Sequence, residues 1–328
     1  MIHCYAARGT AIERLDIVPG AAIPAALWLD LDAPSDEERR AVEAALAIPL
    51  PTREEMQDIE PSARLYSEKG ALFMTATIIA HADDPNPSAN PISFILANRT
   101  LVTLRYSDPR PFVTYGQRLV RAQTSCGSGE DALVGLLETI VDRIADILEK
   151  VSVDLDAIAR QIFAGASGDA TGGERSDLQI VLKNLSRDED LTSTSRESLL
   201  GLLRVARFFT ATGEAGSKKE SKDQKTRLKT IARDIATLNE HVSFELQKIS
   251  FLLEATLGMI NIEQNRIIKL FSVAAVVFLP PTLVASIYGM NFRHMPELDW
   301  FFGYPMAIGL MVLSAILPYL WFKRRGWL

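Results

Sequence analysis

"LFSVAAVVFLPPTLVASIYGMNFRHMPELDW", residues 270–300, decides how this chain is organised. From Leu270 to Tyr288 it contains no charged residue. A hydrocarbon core of ~30 Å needs roughly 20 apolar helical residues, so this run reads as a membrane span. A second charge-free run, "YPMAIGLMVLSAILPYLWF", extends from Tyr304 to Phe322. The connection between them is too short for an exterior domain, and it carries the tripeptide Gly289-Met290-Asn291. Ser272, Thr282, Ser286 and Asn291 punctuate the first run, and polar groups at membrane depth must face protein or water. The three hydroxyls can bond back to their own helix. Asn291 differs, because it follows Gly289, where a helix can end and turn its carbonyls outward.

The flanks set the orientation. Arg266 and Lys269 precede the first span, and Lys323, Arg324 and Arg325 follow the second. The loop between has Arg293 against Glu297 and Asp299. The positive-inside rule therefore places both termini in the cytoplasm and the loop outside. Trp300, Phe301, Phe302 and Tyr304 at one end, with Tyr319, Trp321 and Trp327 at the other, fit interfacial aromatic belts. Hydropathy alone leaves open a hairpin that merely anchors a soluble protein.

Upstream there is no proline between Pro111 and Pro280. Leu228, Ile231, Ile235, Leu238, Val242, Ile249 and Leu252 follow alternating steps of three and four, with Glu245 the one break. Glu245 reads most simply as a snorkelling surface residue on that seam. Leu246, Leu253, Ile260 and Ile267 form a second stripe. A seam this wide favours a bundle or an oligomer over a two-stranded coil. It runs into the first span without a stop signal, predicting one helix from about Ser221 to Tyr288, roughly 100 Å long. Two further helical stretches, Asp131 to Phe163 and Asp177 to Thr210, are joined by "AGASGDATGGERS" and read as a helical hairpin. That loop lacks the GK[ST] ending of a phosphate-binding loop.

The N-terminal piece has another period. "LWLDL", "ALFMTATIIA", "ISFILA" and "TLVTLRY" are strand-like, the last two meeting at Asn98-Arg99 like a hairpin. "SDEERRAVEAALAI" begins with Ser35 and Glu38 in capping-box spacing and reads as a helix. Asp30 and Asp32 alternate onto one face of a strand end, where a solvated edge is the simplest reading.

The composition agrees with a membrane-tethered acidic body. The 328 residues carry 35 Lys plus Arg against 41 Asp plus Glu. From Arg266 onward there are six basic and two acidic residues, which leaves 29 basic and 39 acidic before it. Such an acidic body argues against nucleic acid as partner. No secretory signal opens the chain, and Cys4 and Cys126 stand outside any metal or disulfide spacing. His3, His81, His241 and His294 show no ligand spacing, and no catalytic or dinucleotide-binding fingerprint occurs, so the chain reads as no enzyme.

Several of these stretches carry a family resemblance. "YGMNF" followed by "MPEL", between two C-terminal spans and ahead of "KRRGWL", resembles the CorA family of magnesium channels. "INIEQNRIIKLFSV", "VFLPPTLVASIYGMNF", "LWLDLDAPSDEER" and "PTREEMQDIEPSARLY" extend the likeness to the soluble part and to proteobacterial members. The resemblance implies an α+β cytoplasmic domain, with a mixed sheet and helices, followed by a long-helix stalk and two transmembrane helices, assembled as a homopentameric funnel. The expected layout is an α/β domain over 1–125, a helical hairpin over 126–215 and a stalk helix over 216–269. A pore-lining span over 270–290, an outer loop over 291–303, a second span over 304–322 and a basic cytoplasmic tail over 323–328 complete it.

It further implies a selectivity filter of Gly289, Met290 and Asn291, and a pore lined by Ser272, Leu279, Thr282 and Ser286. Glu297 and Asp299 would attract cations outside, and Lys323, Arg324 and Arg325 would ring the cytoplasmic end. Expected partners are other copies of the chain, membrane lipid and hydrated Mg2+, Co2+ or Ni2+, with no organic cofactor and location in the inner membrane. Mg2+ would also act as a cytoplasmic gating ligand, for which Asp83, Asp84, Asp234, Glu245 and Glu254 are candidates. A related zinc transporter of the ZntB type would carry Gly-Val-Asn and lack MPEL. A membrane-tethered sensor without transport is the reading from another class.

Overall fold

The computed structural model describes residues 1–9, 11–17, 21–84, 87–124, 126–166, 178–215, 222–290, 295–296 and 300–326. The chain divides into two compact units, Met1–Leu253 and Glu254–Leu328.

The first unit is built on a sheet of β1 (Ile2–Arg8), β2 (Ala11–Ile17), β3 (Trp28–Asp32), β4 (Leu65–Glu68), β5 (Ala71–Ala80), β6 (Ser88–Ala97) and β7 (Thr100–Arg105). The strand order is β2-β1-β3-β7-β6-β5-β4. Among the described residues only β3 and β7 pair in parallel, so the sheet is mixed. The four strand-like runs became β3, β5, β6 and β7. The expected hairpin is present: Ala97 pairs with Thr100, and Asn98 and Arg99 have φ of 47° and 67°. Two consecutive positive φ values match the twist of the flanking strands. β1, β2 and β4 were not foreseen, since these short strands alternate weakly and β2 is a largely exposed edge.

α1 (Asp36–Leu46) starts on the expected capping box, with the Glu38 N–H donating to Ser35 Oγ and the Ser35 N–H to Glu38 Oε2. The short helices α2 (Arg53–Gln57) and α3 (Pro61–Arg64) follow. Val42 of α1 and Met56 of α2 join Leu29, Leu31, Phe73, Ile95, Val102 and Leu104 in a core on one side of the sheet. Alternation sends Trp28, Asp30, Thr103 and Arg105 to the other side. There Trp28 stacks on Tyr5 at 4.4 Å and meets Phe112 and Tyr115 of α4 (Arg110–Val120).

This placement corrects the reading of Asp30 as a solvated edge. β3 lies inside the sheet, and Asp30 is 2% exposed. Its Oδ1 accepts from Thr103 Oγ1 at 2.8 Å and from Arg105 Nε at 3.0 Å, and its Oδ2 accepts from Arg105 Nη2 at 3.0 Å. Arg105 also meets Asp32 and Asp108, and its Nη1 donates to Ser107 O. The buried carboxylate is tolerated because a fork of charge-assisted hydrogen bonds satisfies it.

The helical hairpin is α5 (Gly129–Ala166) and α6 (Leu178–Ala215); most of the Gly-rich connection lies outside the described residues. α5 begins against the β6–β7 turn, with the Gly129 N–H donating to Arg99 O at 2.7 Å. A Cβ on Gly129 would stand 2.5 Å from Leu101 N, so the approach requires glycine. α6 rests on β5, where the Ile79 N–H donates to Ser198 Oγ at 3.0 Å. α7 (Lys222–Tyr288) runs parallel to α5 within this unit. Gln224 bonds Asp131, Arg227 bonds Glu138, Lys248 bonds Asp156, and Phe251 stacks on Phe163. The predicted seam is buried, since Leu228, Ile231, Ile235, Val242, Ile249 and Leu252 are each at most 5% exposed.

In the second unit, α7 continues to Tyr288 and α8 covers Gly303–Arg324. Their apolar windows are 6% and 11% buried. A core helix of a soluble protein would be mostly covered, so these two are shaped to meet lipid or other copies of the chain.

Candidate functional site

α7 stays helical through Pro280 and Pro281. Each proline lacks an N–H, so the carbonyls of Val276 and Val277 lose their usual partners at mid-span. Ser272, Leu279, Thr282, Ser286 and Gly289 follow steps of seven, three, four and three. At 3.6 residues per turn they fall on one stripe of the helix. All are exposed on the single chain, Leu279 by 65%. Thr282 Oγ1 donates to Phe278 O at 2.8 Å, the back-bond open to a hydroxyl inside a span.

The helix ends where the tripeptide begins. The Gly289 N–H closes a last helical bond to Ala285 O at 2.9 Å, and the Met290 N–H bonds Ile287 O at 3.3 Å. A Cβ at position 289 would sit 3.0 Å from Ala285 O, so glycine eases the exit of the chain. Met290 is exposed. Asn291, Arg293, Glu297 and Asp299 lie outside the described residues. At the far end of α8, Lys323, Arg324 and Arg325 are exposed, with the Arg325 guanidinium over Trp321 at 5.2 Å.

The acidic gating candidates are not equivalent. Asp83 accepts from Arg143 Nη2 at 2.5 Å and from Lys150 Nζ at 3.5 Å, with Arg110 at 3.6 Å. Burial pushes its carboxyl up, but the charges of Arg143 and Lys150 outweigh that and hold it below the usual range. Asp84 pairs with His81 at 3.3 Å. Asp234 and Glu254 are exposed. Glu245 is not the snorkelling surface residue expected: it is 0% exposed, and its two carboxylate oxygens have no hydrogen-bond partner. The apolar seam it interrupts is packed inside the unit, and His241 Nε2 lies 3.5 Å from its Oε1.

Asp188 was missed. It sits in "SRDEDL", which looks like a charged surface run, yet it is 3% exposed. The signal lay in the spacing: Val181, Leu185, Asp188, Thr192, Ser195, Leu199 and Leu202 recur every three or four residues, and all are buried. Nothing catalytic emerges. Both cysteines are free, and burial raises each thiol to about 11, so neither is a thiolate at neutral pH. Among the described residues, no three His, Cys, Asp or Glu side chains form a group able to hold a metal.

Comparison with known proteins gives these features a family. The magnesium transport protein CorA of Yersinia pseudotuberculosis is 36% identical over 328 residues, covering 100% of both chains. The magnesium transport protein CorA of Pectobacterium atrosepticum is 37% identical over the same span and coverage. The solved CorA magnesium transporter of Methanocaldococcus jannaschii has the same fold, with a TM-score of 0.73 at 16% identity, covering 100% of this chain and 99% of that one. The family described as CorA-like Mg2+ transporter protein matches residues 25–324. It is a transporter family and not an enzyme family, and this chain, matched over nearly its whole length, belongs to it.

Proposed function

We propose that this chain conducts Mg2+ across the cytoplasmic membrane as a homopentamer, with five copies of the α7 span lining one pore. The observation that carries the reading is the exposed stripe of Ser272, Leu279, Thr282 and Ser286, which ends at Gly289, two positions before Asn291 in the sequence. In a ring of copies this face lines the axis. Leu279 forms an apolar constriction, and the hydroxyls of Thr282 and Ser286 face the ion path. Family membership and the named activity of its full-length relatives support magnesium as cargo.

The chemistry suits a hydrated ion. Mg2+ holds its waters tightly in an octahedron, and a ring of carboxylates that stripped them would bind too strongly to release. Asn291 offers a neutral amide oxygen to the bound waters, with the freed carbonyls near Gly289 and Met290 beside it. Glu297 and Asp299 raise cation concentration at the outer mouth, while Lys323, Arg324 and Arg325 hold headgroups on the cytoplasmic side. Both termini are cytoplasmic, and Co2+ and Ni2+, similar in size and hydration, also pass. Cytoplasmic Mg2+ closes the channel by occupying carboxylates between copies. Asp234 and Glu254 fit that role best, being exposed, whereas Asp83 is already engaged by three cations.

The test is Asn291→Ala in liposomes loaded with a magnesium indicator. Flux falls to background while the oligomer stays intact on a sizing column; robust flux through the mutant overturns the pore assignment.

A further inference from the structure

A cavity between the two helices of the hairpin is acidic and incompletely satisfied. It measures about 200 Å³, and its walls include Asp154, Ala157 and Ile158 of α5 and Asn184, Arg187 and Asp188 of α6. Asn184 and Asp188 stand four residues apart, so they share one face of α6. Asp188 is 3% exposed, and no hydrogen-bond donor reaches its Oδ2. A buried carboxylate oxygen left without a donor costs free energy until a cation or a donor meets it.

The neighbouring side chains do not meet that need. Arg187 lines the same cavity, yet its Nη2 donates to Asp84 O at 3.4 Å, on the loop between β5 and β6. Its buried Nε makes no hydrogen bond, to Asp188 or to any other group. Burial first, and then the charge of Asp154, push the Asp188 carboxyl up to about 6, with Arg187 opposing and Glu245 adding to the rise. At neutral pH the carboxylate is therefore ionised, and it shares the cavity with a second one.

We propose that this cavity holds a hydrated divalent cation between the Asp154 and Asp188 carboxylates, with the Asn184 amide oxygen as a third donor, so that the ion fastens α5 to α6 within one chain. No three His, Cys, Asp or Glu side chains among the described residues form a metal group, and this site does not need them. Mg2+ keeps several of its waters and is held through one or two carboxylates. A volume of about 200 Å³ has room for such an ion with its shell, at ~30 Å³ for each water. The charge of Arg187 beside the ion lowers its affinity, so the site fills and empties instead of holding a permanent structural metal. It uses neither Asp234 nor Glu254, and it does not depend on what the pore conducts.

Hydrogen exchange of the purified full-length protein, read on peptides covering 154–161 and 184–188, tests the site with Mg2+ alone as the probe. At about ten times its dissociation constant, Mg2+ should slow the opening of both segments about tenfold, while K+ at matched ionic strength leaves them unchanged. Asp188→Asn and Asp154→Asn keep the side-chain shape and remove the charge, so each should abolish the Mg2+ effect on these two segments. Glu189→Gln, at an exposed neighbouring position, should retain it. Absence of Mg2+ protection in the wild type, protection that survives both aspartate variants, or equal protection by K+ overturns the proposal.

Discussion

The residue whose environment says most about the soluble part is Asp30. It lies in the middle of a buried strand and is bound by Thr103 and the guanidinium of Arg105. Asp30→Asn keeps the shape but leaves Arg105 without its buried partner. Unfolding in detergent should show a loss of about 3–5 kcal/mol, larger than for any exposed carboxylate. Asp83 makes the opposite case, since its three cationic neighbours leave its carboxylate ionised to lower pH than usual. A depressed value means that its contribution is present above the unfolded value and fades as pH falls through the folded one. Asp83→Asn should therefore lower stability at neutral pH, with the difference from wild type vanishing as pH falls below the folded value, and leave the neutral response to Mg2+ unaltered.

Among the elements, α7 combines two tasks. Its first part is held to α5 by Gln224, Arg227 and Lys248, and its last part is apolar and uncovered. If gating is transmitted along this helix, interrupting it should separate sensing from conduction. Gly258 is exposed and has open space around it, so Gly258→Pro adds no clash with another element, yet costs about 3 kcal/mol of helix continuity. Such a channel should still pass Mg2+ but no longer close as cytoplasmic Mg2+ rises; normal closure would refute the lever. α5 depends on one glycine at its start. Gly129→Ala would drive a methyl group into the β6–β7 backbone, and the melting temperature should fall while a nearby exposed control such as Gly127→Ala leaves it in place.

For the whole molecule, the acidic body and the basic-flanked spans are two chemistries in one chain. The long exposed apolar stretches of α7 and α8 cannot be left to water, as two membrane-crossing helices require. The assembled protein should restore growth to a strain lacking magnesium uptake in low magnesium, and Co2+ and Ni2+ should compete for flux. Failure to restore growth would favour a sensor without transport, whereas rescue that survives Asn291→Ala would remove Asn291 from the ion path.

The linear chain by itself determined the elements whose physics is local. Two charge-free runs, a capping box at Ser35, the Asn98-Arg99 turn and a seam repeating every three or four residues each follow from period, cap or turn chemistry. The motif around Gly289 pointed to the family for the same reason, because its residues are contiguous. Tertiary structure alone decided which partners the buried carboxylates meet, although the spacing in α6 and α7 already put Asp188 and Glu245 on buried seams. Asp30, Asp188 and Glu245 sit in stretches that read as edge, surface and snorkel, and all three are inside. Whether a charged side chain is desolvated depends on which strand or helix covers it from far along the chain. Asp30 meets Arg105 across a parallel pairing, and Asp188 feels charges from α5 and α7. Those partners are set by packing between distant segments, which no local period encodes.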